Sequence, residues 1–473
     1  MGQEIATSHF TPQDLACFEA ALRCEMELLT QWFQKGSLAP GPKTAGCELE
    51  CWLVDPSFRP LPSNEEFLAR VADPLVGPEL ARFNVELNTS PLALTGSVLR
   101  RMAQELTQTW QHCTQTAQAM DADLMMIGIL PTVRQEELSV ANMSAMTRYR
   151  ALNEQVFRLR QERPLRIDIR GREQLACLHH DIMIEAAATS FQVHLQVGPE
   201  EAVRYYNAAQ ILSAPMVALS ANSPYLFGKD LWDETRIPLF EQAVAGGDPE
   251  PGLNRVTFGS GYITHSLLAC FQENSDRYPI LLPIPQADRT EAMAHVRLHN
   301  GTIWRWNRPL VGFNTDGTPH LRIEHRVIPA GPTIADMVAN AAFFYGLVHT
   351  LATQPIPPEQ LLSFGAARDN FYRACQTGLA TRLTWFGDIQ VPVQGLITET
   401  LLPLAHRGLA QLAIDPEDRA YYLGIIEERV QKLCNGATWQ RAYVARHHCD
   451  MQELTRAYCV RQQQGHPVHE WDD

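Results

Sequence analysis

The sequence predicts an α+β fold: an antiparallel β-sheet flanked by helices, with a helical C-terminal part. Three observations carry this expectation. Four short segments alternate apolar and polar residues with period two, the pattern of strands buried on one face only. Long segments between them carry helix start and stop signals. Beyond about residue 333 the helical pattern dominates. The expected organisation is an N-terminal helix within residues 1–38 packed on the core, an α+β core over 39–350, and a helical part over 351–473.

The elements follow in order. Thr11 can cap a first helix, with Pro12 in its first turn and Gly36 as its stop. The Pro/Gly loop at 39–42 leads into a strand over 46–55. Residues 97–122 read as a long helix, and 140–162 as another led by Ser139. After an alternating stretch from Phe191, residues 200–221 read as a helix packed on that strand. Residues 295–328 carry short strands, with Asn300-Gly301 and Asp316-Gly317 as hairpin signals. Met337 to Leu351 is apolar but carries Asn340 and His349, which suits a buried helix better than a membrane span. Asp415-Pro416-Glu417 is a helix start and Asn435-Gly436 a stop. Asp450 with Glu453 forms a capping box for a last helix ended by Gly465.

Composition narrows the function. Hydrophobic residues make up 45% and charged residues 19% of the 473, which suits a globular core. The net charge of −14 disfavours nucleic acid and anionic membranes as partners. The acidic start of the chain lacks a signal-peptide core, and the 11 Cys contain no C-x-x-C pair. Reduced thiols in a cytoplasmic protein are therefore expected. Of 39 basic residues only four are Lys (Lys35, Lys43, Lys229, Lys432), leaving 35 Arg, and none of the four lies in a P-loop. A nucleotide would then have to be held by metal ions and by the two-donor fork of Arg.

The polar faces of the four strands are unusual. Opposite Cys47, Leu49 and Cys51 stand Glu48 and Glu50. Opposite Phe83, Val85 and Leu87 stand Asn84, Glu86 and Asn88. The strand 191–197 sets Gln192, His194 and Gln196 against an apolar face, and 321–327 sets out Arg322, Glu324 and Arg326. Any one of these could be an ordinary solvent face. Taken together they are carboxylates, amides, one His and Arg, groups that coordinate hard cations and phosphate. Two Glu at i and i+2 repel unless a cation lies between them. A cleft for several Mg²⁺ ions fits, because magnesium bridges carboxylates to substrate phosphates. Cys47 and Cys51 face away from Glu48, which argues against zinc there. Adjacent His179 and His180 do not converge on one metal, and Gly259-Ser260-Gly261 reads as a turn.

At these residues the sequence resembles the glutamate–cysteine ligase superfamily, in its bacterial carboxylate–amine ligase branch, from about Gly46 to about Gly378. Gly46–Glu50 and Phe83–Asn88 are similar to the two metal strands, and Gln192–Gly198 to the histidine strand. Ala218–Pro224 with Arg236 following is the most specific match, then Ile323–Arg326, Asn370–Ala374 and Gly378-Leu379. The resemblance implies a glutamine-synthetase-like funnel of antiparallel sheet. It implies Glu48, Glu50, Glu86, His194 and Glu324 as ligands of two or three Mg²⁺ ions, with Mn²⁺ as a substitute. It also implies Arg326 at the transferred phosphate, Arg236 at a substrate carboxylate, and Arg322, Arg326 and Gln196 toward the nucleotide.

The implied activity is ATP-dependent ligation of a carboxylate to an amine through an acyl phosphate, with γ-glutamyl amide formation as in glutathione biosynthesis. Small-molecule substrates are the expected partners, and a homo-oligomer is compatible. Two departures stand out: Gln196 occupies a position where many members have His, and Val327-Ile328-Pro329-Ala330 lacks an Asp common after the late Arg. They leave open another acid–amine pair, a related guanidino kinase, or an inactive protein that binds ATP and metal.

Overall fold

The computed structural model describes residues 5, 7–245, 254–284 and 289–472. Helix α1 (Pro12–Lys35) starts at a reciprocal capping box. Thr11 Oγ1 accepts from Asp14 N–H at 3.2 Å, and Asp14 Oδ2 accepts from Thr11 N–H at 2.8 Å. Gly36 ends the helix in the left-handed region at φ 67°. The helix lies on the core through a buried pair, Glu25 Oε1 with His295 Nδ1 at 2.7 Å, while Glu25 Oε2 accepts from Val296 N–H.

The central sheet is antiparallel and curled. Its path uses β1 (Thr44–Val54), β2 (Val76–Pro78), β3 (Asn84–Asn88), β4 (Phe191–Val197), β5 (Asn307–Phe313) and β6 (Pro319–His325). Their order is β5-β6-β4-β1-β3-β2, and the short strands Leu92–Ala93 and Asp123–Met125 also pair with β1. The Asp316-Gly317 signal does form the turn joining β5 to β6. Cys47, Leu49, Cys51, Val85, Leu87, Val193, Leu195, Leu321 and Ile323 all face one continuous apolar core. Each strand thus buries its apolar side, as period-two patterning requires.

Two helices fill that core, α2 (Ala202–Ser220) and α3 (Ile334–Thr353). Helix α3 has the length and apolarity to cross a membrane, but 83% of its apolar window is buried inside the protein. Its Tyr345 hydroxyl shares its one proton between the Gly46 carbonyl at 3.2 Å and the His194 carbonyl at 3.0 Å, linking β1 to β4. Gly346 lets the neighbouring helix Leu402–Gln411 approach closely, since a Cβ there would collide with the Ala405 carbonyl.

Four local expectations change. Residues 140–162 do not form one helix. A 3₁₀ turn, Val140–Asn142, precedes a helix at Thr147–Leu159. Between them Met143 bridges Ala81, and Ser144 bonds to Leu80 and to Asn64, tertiary contacts that interrupt the helix. Asn300-Gly301 ends the helix Ala294–Gly301 and makes no hairpin, because the Asn300 side chain bonds to Pro309 and Asn274. Asn435 starts a helix, Gly436–His447, with a capping box, and ends none. Phe83 precedes β3 and stacks on Trp52 with ring centroids 5.4 Å apart, leaving the face of Val85 and Leu87. In the C-terminal part a small hairpin, Arg382–Trp385 with Ile389–Pro392, joins the helices.

A Tyr345→Phe variant removes a buried donor shared by two strands. It should lower unfolding stability by about 1 kcal/mol, on the scale of one buried hydrogen bond. Urea unfolding with an unchanged midpoint would show that the strands do not depend on this link.

Candidate active site

The register brings the polar residues of the strands onto one face. Glu48 stands opposite Asn88 on one side and Gln192 on the other, and Glu50 stands opposite Glu86. Glu324 stands opposite His194 and Arg322 opposite Gln196. Residues directly opposite in an antiparallel pair project from the same face. Beyond Glu50 the same face reaches Trp52, which a second apolar cluster covers, closing the cleft at that end.

Glu48, His194 and Glu324 form the tightest group, with donor atoms all within 4.8 Å of one another. His194 Nε2 lies 3.2 Å from Glu48 Oε1 and 3.8 Å from Glu324 Oε1. That nitrogen is buried and makes no hydrogen bond among the described residues. A lone pair aimed at two carboxylates is repulsive unless a proton or a cation sits between them. The donors, two carboxylates and an imidazole, suit a divalent cation.

Around this group the arginines gather. Arg308 grips Glu324 with two donors, Nε at 2.7 Å and Nη2 at 3.1 Å. Arg326 Nη1 donates to Glu324 Oε2 at 3.0 Å and also to Gln192 Oε1. Gln192 Nε2 in turn donates to Glu50 Oε1 at 2.9 Å, and Glu50 Oε2 accepts from the Ser190 N–H. Asn88 Nδ2 donates to Glu86 Oε1 at 2.7 Å. Arg322 and Gln196 lie on the same face, one strand step (roughly 7 Å) beyond Glu324 and His194. They do not join the metal group.

Arg236 lies elsewhere. It is 2% exposed, its donors meet Glu234 and the main-chain carbonyls of Arg326 and Val327, and its charge acts on Glu50 through space. The expectation that it meets a substrate carboxylate does not match this placement. It begins a helix, Arg236–Ala243, that points its first side chain inward.

Three charged residues of the site were not anticipated. Arg308 sits eight residues before Asp316 as Glu324 sits eight after it, so the Asp316-Gly317 turn pairs them. That hairpin signal could have found it. Glu79, just after β2, and Glu185, in the 3₁₀ segment Ile182–Ala187, lie outside any alternating run. Nothing in their local sequence marks them.

The carboxylates divide by environment. Burial alone would raise Glu48, but the neighbouring His194 charge outweighs it and holds the group down to about 2. Glu324 is likewise held well below the usual carboxylate range, since Arg308, Arg326 and His194 together overcome burial. The others go the opposite way. Burial pushes Glu50 up to about 7, with Arg326 resisting and Glu86 adding repulsion. Burial, then Glu50 and Glu185, push Glu79 to about 7. Burial and Glu50 push Glu185 to about 8 against the pull of Arg326. Burial, Glu48 and Glu79 push Glu86 well up. Negative charge exceeds what the nearby cations neutralise.

A pH dependence follows. Glu50, Glu79 and Glu185 bind protons in the folded chain that the unfolded chain releases above 4.5. The stability this lends to metal-free protein is full below 4.5 and is lost as pH rises through about 7 to 8. A cation replacing the protons reverses the loss. With chelator present, the melting temperature should fall across that window, and added Mg²⁺ should raise it more at the upper end than at the lower. An equal Mg²⁺-induced rise at both ends would count against cation binding by these carboxylates.

Known proteins share this architecture. The structure superposes on glutamate–cysteine ligase (gshA) of Francisella tularensis, solved in complex with AMP, with a TM-score of 0.57 and 12% identity. The match covers 91% of this chain and 89% of that one. It also superposes on a bifunctional glutathione synthetase of Pasteurella multocida, with a TM-score of 0.55 and 11% identity, over 93% of this chain and 55% of that one. At these identities the likeness is one of fold. No curated protein sequence matches the chain. The family model for glutamate–cysteine ligase family 2 matches residues 44–464, from the first residue of β1 to the end of the last long helix, and the chain belongs to that family.

Proposed function

We propose that this chain is an ATP-dependent ligase that joins a carboxylate to an amine through an acyl phosphate, with glutamate and cysteine as the first pair to test. The observation that supports it most is the Glu48–His194–Glu324 group beside Arg308 and Arg326, in a cleft with a surplus of buried carboxylates. Such a site is built to be completed by cations and a polyanion together.

The chemistry needs both. A carboxylate is a poor electrophile because oxide is a bad leaving group. Attack of its oxygen on the γ-phosphorus of ATP forms the C–O–P bond and releases ADP. An amine then adds to the acyl carbon, and phosphate leaves with the amide formed. Divalent ions bound here would neutralise the triphosphate so that an anionic nucleophile can approach. Glu48, His194 and Glu324 would hold one such ion. Glu50 and Glu86, opposite each other on neighbouring strands, would hold another. Arg326 would then turn toward the transferring phosphoryl group, where a two-donor guanidinium stabilises the charge spread over its oxygens. Arg308, two-pronged on Glu324, is placed to do the same. Arg322 and Gln196 face outward along the same strands, toward the nucleotide side of the cleft in this reading.

A different acid or amine is the second reading, favoured by Gln196 and by the apolar run Val327-Ile328 after Arg326. Both readings share one assay. Purified protein with Mg-ATP should release ADP and phosphate only when acid and amine are both present, and not with chelator. Arg326→Ala should lower kcat by roughly 10² to 10³ while Mg-ATP still binds, since one preorganised charge stabiliser is lost. Arg326→Lys should recover little of it. A folded Arg326→Ala protein with near-normal turnover would overturn the role given to that residue. No ADP release across a panel of paired amino acids and amines would overturn the ligase reading.

A further inference from the structure

We propose that Arg236, held by Glu234, is a positioning residue that fixes the main chain of Arg326, and that it does not touch substrate; this rests on the phosphoryl-contacting role of Arg326 proposed above. The argument starts at the end of a strand. Strand β6 stops at His325; one residue beyond it, the Arg326 N–H still bonds, in register, to the carbonyl of Trp306 opposite it. A residue just past a strand end keeps its place only if other groups take its N–H and C=O.

Here both are taken. The Arg326 N–H donates to the Trp306 carbonyl at 2.9 Å. Arg236 Nη1 donates to the Arg326 carbonyl at 3.4 Å, and Nη2 to the Val327 carbonyl at 2.6 Å. The Arg236 guanidinium also lies over the Trp306 ring, 5.4 Å from its centroid. One planar side chain thereby spans two successive carbonyls and the residue that holds the N–H, a geometry that suits Arg and not Lys.

The clamp has its own anchor. Arg236 Nε donates to Glu234 Oε1 at 3.0 Å, and Glu234 is 0% exposed. A buried guanidinium needs such a counter-charge. Glu234 Oε2 accepts from the Asn222 N–H at 2.9 Å, and the Arg236 N–H donates to Ser223 Oγ at 3.2 Å. Asn222 ties the assembly to the rest of the protein. Its Nδ2 donates to the Ala330 carbonyl at 2.8 Å and to the Tyr458 hydroxyl at 2.8 Å, and its Oδ1 accepts from Gln440 at 2.9 Å. A Cβ at Gly436 would collide with this side chain. The Ala221-Asn222-Ser223-Pro224 segment therefore braces residues 326–330 against two C-terminal helices, Gly436–His447 and Met451–Gln464.

A shift of about 1 Å in a positioned group can cost roughly 10²-fold in rate. Arg236→Lys, which keeps the charge beside Glu234 but loses the fork, should lower kcat by roughly 10- to 10²-fold and leave the acid KM within about threefold. Glu234→Gln, which removes the counter-charge at nearly constant shape, should lower kcat in the same direction. The readout that separates positioning from plain stability is the cycle with Arg326→Ala: the double variant Arg236→Lys, Arg326→Ala should turn over no more slowly than Arg326→Ala alone. A second measurement needs neither acid nor amine. Beryllium fluoride added to Mn-ADP mimics a γ-phosphoryl group, and the affinity it adds should be lost in Arg326→Ala and reduced in Arg236→Lys.

Several results would overturn the proposal. They are a raised acid KM with intact kcat in Arg236→Lys, additive losses in the cycle, or a lowered melting temperature with normal kcat and a normal fluoride gain. A wild type that gains affinity from the fluoride but ligates no acid–amine pair loses the ligase reading alone, with the clamp still measured by the fluoride gain. A wild type without that gain removes the role of Arg326, and the clamp with it.

Discussion

Charge confined to one face of a sheet organises this protein. Glu48, Glu50, Glu86 and Glu324 stand on three strands that share a face, with Glu79 and Glu185 drawn to the same place. Carboxylates cannot be crowded and buried without cost, because removing charge from water and setting like charges together both oppose it. The sheet bears that cost because its other face, apolar except for the paired Asn307 and His325, packs against α2 and α3. Binding capacity on one side is thus underwritten by burial on the other.

The site answers its own charge in two ways. Where a basic side chain is at hand, as with Arg308 and Arg326 at Glu324 or His194 at Glu48, the carboxylate is held toward its ionised form. Where none is, as at Glu86, or where its pull is too weak, as with Arg326 at Glu185, burial favours the protonated form. The first set forms a preassembled anionic corner; the second is a reserve of ligands that a cation would recruit by displacing protons. The scarcity of Lys fits the same logic, since the fork of Arg can hold a carboxylate now and a phosphoryl group later.

The supports behind the site are as specific as the site. Tyr345 on α3 joins the backbones of β1 and β4 just where Gly46 faces His194. The buried Arg236–Glu234 pair takes the carbonyls beyond β6. The C-terminal helices reach this pair through Asn222, Gln440 and Tyr458. Residues more than 200 positions apart in sequence therefore brace one another across the core and the C-terminal helices.

Period-two alternation is a local property, so the sequence by itself determined which residues of β1, β3, β4 and β6 share a face. Capping residues are equally local, and Thr11, Gly36, Asp415, Asp450 and Gly465 mark helix ends in the chain as in the structure. What only the tertiary structure decided depends on contacts between distant segments. Ser144 broke a helix because Leu80 and Asn64 lay beside it, and Asn300 left a turn because Pro309 and Asn274 took its side chain. Glu79 and Glu185 entered the site from segments with no pattern of their own. Arg236, marked by sequence for a substrate, turned inward because Glu234 and two carbonyls supplied in the interior a partner for each of its three nitrogens. Side-chain direction at a helix start is set by where partners lie in space, and no spacing along the chain encodes that.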